Sequence, residues 1–401
     1  MVWIDVTTLL NWNRPSVGIV RTNAEFVRYT LEKWPSDGGE RGYLFWNWEK
    51  REILEVPEEI VRGWLNGRPA PEEYRVPMWV TIGQFHRTKL DPLSRRREWE
   101  KYRHPFKPGD QFISIGLDWE YIDYTFLYFW KEELGLKVGG AIYDLIPILH
   151  QDLSPNRIFG EYFLRHIGNL LHTADKVFVI SHAVEEEVKG FIREKGFPMP
   201  EIETIYLGDS VWEGKGEERE RPHNPDNFLL YVSTIDNRKN HITLVKAYDL
   251  LVTEGYTPPD LVFVGMGADG LPAIEEYLYL YPHLRKYIHI YTDVENRELL
   301  SLYQRAKFTL FPSKVEGWGL GSRESLLFKK PVLISKTPAL IEATQQLMPA
   351  LPAESPLHWA EGIKLMDQPK VLEGFKRVIE TQFKPRSWEE FGRELLAFYL
   401  S

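Results

Sequence analysis

Glu316 and Glu324 stand eight positions apart in the run Glu316-Gly317-Trp318-Gly319-Leu320-Gly321-Ser322-Arg323-Glu324. A carboxylate repels a phosphate but accepts hydrogen bonds from sugar hydroxyls. The glycines between the two acids let backbone amides come close to a ligand. Where such a run opens a helix, its free N–H groups and dipole favour an anion such as a diphosphate. One Glu at each end of a phosphate cradle suits a sugar–diphosphate–ribose ligand. Two Glu at this spacing are common by chance, so the flanking elements carry the weight. Phe308-Thr309-Leu310-Phe311 is an apolar run closed by Pro312-Ser313 and is expected as a buried strand; Ser325 to Lys330 is expected as the body of a short helix.

Three further constellations fall where strands give way to helices. Ser233-Thr234-Ile235-Asp236-Asn237-Arg238-Lys239-Asn240-His241 follows the strand-like Phe228–Val232 and precedes the helical Leu244–Tyr248. Open α/β sheets bind ligands at the carboxyl ends of their strands, and two adjacent cations there suit a leaving diphosphate. A solvated Arg-Lys pair at a helix start is the plain alternative. Gly18-Ile19-Val20-Arg21 lies after the first strand and opens the first helix, and its glycine could equally punctuate an ordinary loop. Tyr143-Asp144-Leu145-Ile146-Pro147-Ile148-Leu149-His150 follows another strand; Asp in such a place also forms turns with its own backbone.

Together these residues resemble the retaining glycosyltransferases of the GT-B fold (group 1, family 4). Their signature is Glu-x7-Glu with an embedded Gly-aromatic-Gly-Leu, followed by a strand like Pro331–Ser335. The resemblance implies two Rossmann-like, doubly wound parallel-sheet domains facing a cleft, with a C-terminal helix crossing back to the first. It implies that Glu324 holds the ribose hydroxyls and Glu316 the donor hexose, while amides of Gly319, Leu320 and Gly321 touch sugar or phosphate. Lys239 matches the phosphate-binding lysine, with Arg238 beside it. Ser233 stands in place of a usual Gly and Thr234 where some members carry a second Arg; with Gly265 they fall on the donor side. Gly18 matches a glycine that approaches the donor phosphate, although Val20 replaces the second one, and Arg21 falls on the acceptor side. Tyr143 replaces the His of a His-Asp-Leu-x-Pro stretch, which makes Asp144 a candidate for the acceptor hydroxyl and His150 a second one. The similarity is strongest to envelope polysaccharide mannosyltransferases, so the donor favoured is GDP-mannose and the acceptor a saccharide or lipid-linked sugar. No cofactor and no metal are implied, because Lys239, Arg238 and helix amides can supply the positive charge and no Asp-x-Asp stands at a strand end. The rivals are a cytosolic glucosyltransferase using UDP-glucose on a soluble acceptor, and a catalytically silent nucleotide-sugar-binding subunit.

The 401 residues suffice for two or three domains, each with a real core. Strands at 111–115, 139–143 and 176–180 alternate with helical stretches at 22–33 and 183–194, and a second series runs through 228–232, 261–265 and 288–291. The expected division is an acceptor-side domain over 1–207, a charged Gly-containing linker over 208–227, a nucleotide-sugar domain over 228–380 and a terminal helix over 381–401. That helix should open with a capping box of Ser387 and Glu390. There are no cysteines, which removes disulfides and Cys-bound metals, and a net charge of −9 argues against general nucleic-acid binding. Met1–Val6 reads directly as a strand, and no run approaches the ~20 apolar residues of a membrane span, so a cytoplasmic location is expected. From His86 to Lys107, eight Lys or Arg face three acids, with Phe85, Trp99, Tyr102 and Phe106 interleaved. That segment is a candidate for peripheral contact with the anionic inner face of a membrane, against the alternative of a solvated basic loop.

Overall fold

The computed structural model describes residues 1–13, 18–75, 96–97, 99–153, 157–209 and 225–401. Thirteen strands form two sheets among them. The first sheet contains β1 (Val2–Asp5), β2 (Arg41–Asn47), β3 (Glu52–Val56), β4 (Gln111–Ile113), β5 (Lys137–Ile142), β6 (Lys176–Val179) and β7 (Glu201–Thr204), in the order β3-β2-β1-β4-β5-β6-β7. All neighbours pair in parallel except β2 and β3, where Tyr43 faces Val56 and Asn47 faces Glu52 in an antiparallel ladder. The doubly wound sheet therefore carries one antiparallel edge strand that a wholly parallel reading leaves out.

The second sheet contains β8 (Phe228–Val232), β9 (Asp260–Val264), β10 (Ile288–Tyr291), β11 (Thr309–Phe311), β12 (Val332–Ser335) and β13 (Ala350–Leu351), ordered β10-β9-β8-β11-β12-β13 and parallel throughout. Strands covered by helices on both faces read as continuous apolar runs. Phe228, Leu229, Leu230 and Tyr231 have no exposed surface, and Leu310 lies with them. The order reverses between β8 and β11, so the loops after these strands diverge and leave a crevice at their carboxyl ends. Both the Arg238–Lys239 loop and the Glu316 loop emerge there.

The terminal helix, Trp388–Leu400, opens with the expected capping box: Ser387 Oγ accepts from the Glu390 amide, and the Glu390 carboxylate accepts from the Ser387 amide. It packs on the first sheet's half, with Phe391, Leu395 and Tyr399 buried in that core. Gly392 lies against the Tyr29 ring so closely that a methyl group would sit 2.4 Å from it. At the helix's far end the Tyr399 hydroxyl donates to the Gly140 carbonyl at 2.7 Å, and Gln111 Nε2 donates to the Tyr399 carbonyl.

One expectation needs correction. In the basic segment, the described aromatic residues turn inward: Trp99 and Phe106 are buried, and Tyr102 packs on Trp48 and Phe126. Burying aromatic area against Trp130 outweighs leaving it in water, so these rings do not face a bilayer. Phe85, Arg87, Lys89 and Arg95 lie outside the described residues, as do 210–224 of the expected linker. Among the described residues no helix is long and apolar enough to cross a membrane.

Candidate functional site

The loop after β8 is shaped by hydrogen bonds of its own sequence. Asp236 Oδ1 accepts from the Lys239 amide at 2.8 Å, closing a turn that carries Arg238 and Lys239. Asn240 follows with φ +59°, a left-handed conformation that Asn tolerates better than most residues. Its side-chain amide donates to the Pro312 carbonyl at 3.0 Å and to the Ala353 carbonyl at 2.7 Å, while its Oδ1 accepts from Thr243 Oγ1. One buried side chain thus ties the cationic loop to the ends of β11 and β13, and then the helix His241–Thr253 begins.

On the facing loop, Glu316 meets both cations. Its Oε1 lies 2.5 Å from Lys239 Nζ and its Oε2 3.0 Å from Arg238 Nη1, with the carboxylate only 7% exposed. Burial pushes the Glu316 pKa up, but Lys239 and Arg238 outweigh it and hold the carboxyl below the usual range. Burial works on Arg238 in the opposite sense and is likewise outweighed, by Glu316, Asp236 and Asp144. The result is an acidic side chain flanked by two cations, each of which could be handed to an incoming diphosphate.

The helix Leu320–Leu327 starts after Gly319, whose φ is +101° and where a methyl group would come within 2.3 Å of Leu340. Gly321 lies against Phe311, with room for no side chain at 2.6 Å. These two glycines therefore bring the helix N-terminus down onto the end of β11. The helix opens at Leu320 rather than at Ser325, because glycine is a weak helix former and masks the start. Glu324, one turn in, accepts from the Tyr303 hydroxyl at 3.3 Å and lies 3.9 Å from Arg21 Nη1. Burial raises its pKa to about 7, with Arg21 and Tyr303 opposing and Asp209 adding.

The first sheet's half reaches this site directly. Asp144 makes an Asx turn to the Ile146 amide at 3.0 Å, and a methyl group on Gly317 would sit 3.2 Å from its Cβ and 2.6 Å from the Tyr143 carbonyl. Burial raises the Asp144 pKa, with the Ile146 amide and Arg238 opposing and Glu316 adding. Ser181 Oγ donates to the Gly317 carbonyl at 2.8 Å, and the amides of His182 and Ala183 donate to Glu342 at 2.8 and 3.2 Å. The structure thus brings together Glu316, Lys239, Arg238 and Asp144, and separately Glu324 with Arg21. Arg21, read from sequence as an acceptor-side group, lies beside the donor-side Glu324 and over the Trp388 ring at 5.6 Å. The Tyr143 hydroxyl donates to the Ile115 carbonyl at 2.6 Å, and the residue lines a cavity together with Asp144. His150 ends a helical turn over Ile146–Leu149, its amide on the Ile146 carbonyl. Gly18, at φ +54°, opens the helix Gly18–Glu32. Ser233 and exposed Thr234 lie on the β8 loop, and Gly265 has a packing task, since a methyl group there would be 2.0 Å from the Ser233 carbonyl.

Sequence reasoning passed over Arg323, which stands inside the signature. Its Nε donates to Asp209 at 2.6 Å, its Nη2 pairs with the other Asp209 oxygen, and its Nη1 donates to the Ala343 carbonyl. Trp318 stacks on Tyr206 with centroids 5.1 Å apart, placing the signature's aromatic residue in the seam between the two halves. Among the described residues no group of three or more His, Asp and Glu gathers as a metal site.

Residues 215–365 match the family model described as glycosyl transferases group 1. The chain carries a group 1 glycosyltransferase domain. The fold is GT-B: over 99% of this chain and 97% of the other, it superposes on sucrose-phosphate synthase from Thermosynechococcus elongatus with a TM-score of 0.61 at 16% identity. Anabaena HepE, solved in complex with UDP and glucose, matches at a TM-score of 0.60 and 12% identity over 98% and 97% of the two chains. Among curated proteins, the serotype-specific mannosyltransferase WbdA of Escherichia coli is 25% identical over 261 residues, 62% of this chain. The chain spans 31% of the length of that relative.

Proposed function

We propose that this protein transfers a hexose, with mannose favoured, from a nucleoside diphosphate sugar to a saccharide or lipid-linked acceptor in cell-envelope polysaccharide synthesis. Transfer proceeds with retention of the anomeric configuration and without a metal ion. The observation that carries this reading is the Glu316 carboxylate between Lys239 and Arg238, at 2.5 and 3.0 Å, in the crevice where the sheet order reverses. The similarity to WbdA supports mannose as the sugar.

When the donor binds, its diphosphate takes the place of the internal carboxylate as the partner of the two cations. The helix amides after Gly319 add partial positive charge. As the C1–O bond to phosphate breaks, the diphosphate leaves with the electron pair, and its growing charge is held by Lys239 and Arg238. Glu316, released from ion pairing, faces the hexose and stabilises the positive charge on its ring. The acceptor hydroxyl, hydrogen-bonded to Asp144, forms the new bond to C1, and its proton passes to the departing diphosphate. In this reading the work is done in the cytoplasm, at the inner membrane face when the acceptor is lipid-linked.

The test is hydrolysis of GDP-mannose, UDP-glucose, dTDP-glucose and ADP-glucose in the absence of acceptor, with the released anomer read by NMR. Slow release of the α-anomer from GDP-mannose, unaffected by EDTA, is expected. Hydrolysis of UDP-glucose alone would make the protein a glucosyltransferase, and no hydrolysis of any donor would make it a binding subunit.

A further inference from the structure

The loop that carries Glu316 is fixed from two sides. Before Glu316, Ser335 Oγ and Thr337 Oγ1 donate to the Ser313 carbonyl, the Lys314 amide donates to the Arg238 carbonyl at 2.9 Å, and Arg238 Nη1 donates to the Val315 carbonyl at 3.2 Å. These partners all belong to the second sheet's half. After Glu316 the partner changes sides: the Gly317 carbonyl accepts at 2.8 Å from Ser181 Oγ, just past β6 in the first sheet's half. Gly317 is seated there without room for a side chain, since a methyl group would come within 2.6 Å of the Tyr143 carbonyl, and Trp318 next to it stacks on Tyr206 of the same half. Glu316 therefore stands between one neighbour held by the second half and one held by the first.

Ser181 serves two partners with one hydroxyl. As the cap of the helix His182–Lys195, its Oγ accepts from the Val184 amide at 3.1 Å, and its proton goes to Gly317. The residue has no exposed surface, so water does not compete for either bond. The start of that helix is itself tied across the seam, because Glu342 accepts from the His182 and Ala183 amides. A cap residue needs only an accepting oxygen, and Asp or Gly is tolerated at such a position too. The bond donated to Gly317 is thus separate from what the helix requires.

The ties on Glu316 are not equivalent once a diphosphate arrives. Lys239 and Arg238 hold its carboxylate in the free protein. A ligand that takes these cations removes both ion pairs, and it draws on the same Arg238 group that holds the Val315 carbonyl. The Ser181 bond uses neither cation and carries no charge, so it persists. We propose that Ser181 is a positioning residue for Glu316: after the donor has released the carboxylate from Lys239 and Arg238, the hydroxyl bond to the Gly317 carbonyl keeps the Glu316 backbone in place, so that the carboxylate faces the hexose. The proposal rests on the transferase reading above and adds to it a residue of the opposite half that acts through the loop.

Two variants divide the roles of the hydroxyl. Ser181→Gly removes it at little cost to the helix start, and Ser181→Thr keeps it; Ser181→Asp, which caps without a hydroxyl, serves if Ser181→Gly melts early. In protein labelled with 5-fluorotryptophan, the fluorine resonance of Trp318, assigned with Trp318→Phe, reads the seat of the loop without any reaction. Free Ser181→Gly should keep the wild-type line, because the cations still hold Glu316. Saturation with GDP or UDP should then shift or broaden that line in Ser181→Gly, while the wild type and Ser181→Thr stay narrow. In acceptor-free donor hydrolysis, Ser181→Gly should lower kcat by roughly tenfold or more, with donor KM and nucleotide affinity nearly unchanged, and Ser181→Thr should restore most of the loss. A Trp318 line in nucleotide-bound Ser181→Gly that matches the wild type overturns the proposal, and so does a loss of kcat that Ser181→Thr fails to recover. Nucleotide binding without hydrolysis in the wild type removes the transferase reading, and the Trp318 line alone then decides whether Ser181 holds the loop. If neither nucleotide binds the wild type, both readings fall.

Discussion

Glu316 and Glu324 belong to one signature but sit in opposite electrostatic surroundings. Burial acts on both, yet two cations hold Glu316 below the ordinary carboxylate range, whereas Glu324, opposed by Arg21 at 3.9 Å and the Tyr303 hydroxyl, rises to about 7. Different consequences follow on substitution. On the proposed reading Glu324 accepts from ribose hydroxyls that do not change during reaction, so Glu324→Gln should raise donor KM with little change in kcat. On the same reading Glu316 and Lys239 face charge that grows in the transition state, so Glu316→Gln and Lys239→Ala should lower kcat by roughly 10²–10³-fold with smaller effects on KM. Steady-state kinetics alongside melting curves decide this, and near-wild-type constants for both glutamate variants would remove the motif from the mechanism. Glu324 also carries a pH signature. Its folded pKa of about 7 lies above the ordinary 4.5. Between those values the folded chain keeps a proton that the unfolded chain has released, so this group makes stability fall as pH rises from about 4.5 to 7 and flattens the curve above. At 1.36 kcal/mol per pH unit the upper limit is about 3 kcal/mol. Glu324→Gln should abolish that slope in Tm measured across the window. Donor KM in the wild type should fall as pH rises through about 7, since the ionised carboxylate is the better acceptor of ribose hydroxyls.

At the scale of elements, the site depends on how loops are tied to strand ends, and Asn240 shows it. Asn240→Ala would lose hydrogen bonds to Pro312 and Ala353 and place a Cβ-bearing residue without an amide at φ +59°. The expected loss is about 2 kcal/mol in chemical denaturation, at roughly 1 kcal/mol per hydrogen bond. Asn240→Gly, which removes the bonds but accepts the backbone, should lose less, and equal losses would show that the backbone conformation contributes nothing. Much of this architecture was legible in advance. Apolar runs at 228–232 and 288–291 became strands with those limits, and the Ser387–Glu390 box opened the last helix. What escaped notice lacked a local pattern. In β3, Glu52, Leu54 and Glu55 keep some exposure while Ile53 and Val56 are buried, so it never forms the solid apolar run of a central strand. The Leu320–Leu327 helix hides its start under glycines. The contacts of Trp99 and Phe106 with Trp130 follow from tertiary packing, which a count of charges and aromatics along one segment cannot foresee.

For the whole molecule, the question is how two halves joined at two places hold one site in register. The answer converges on Asp209. Its carboxylate pairs with Arg323 and accepts from the Arg386 amide at 2.8 Å, and its own amide donates to the Arg386 carbonyl at 2.6 Å. Residue 209 leads out of the first half, residue 386 leads back into it, and Arg323 precedes Glu324 on the signature helix. The two chain crossings and the donor-side carboxylate therefore share one node, with Asp209 and Arg323 side chains only 3% and 4% exposed. A buried ion pair is costly to break from one side, because the remaining charge has no partner; removing a single member typically costs 3–5 kcal/mol, while replacing both by neutral groups of similar volume is often tolerated. Arg323→Met should accordingly lower stability by about that amount, and Arg323→Met combined with Asp209→Asn should recover most of it. The kinetics should not recover in parallel. Arg323 also holds the Ala343 carbonyl and lies over the Trp318 ring at 5.6 Å, so the double variant loses the restraint on the turn that carries Glu324. Donor KM should remain elevated in the stable double variant with kcat close to wild type. A double variant as unstable as the single one would mean that the pair is not electrostatically coupled, and a normal donor KM would reduce the node to a fastener with no part in holding the donor.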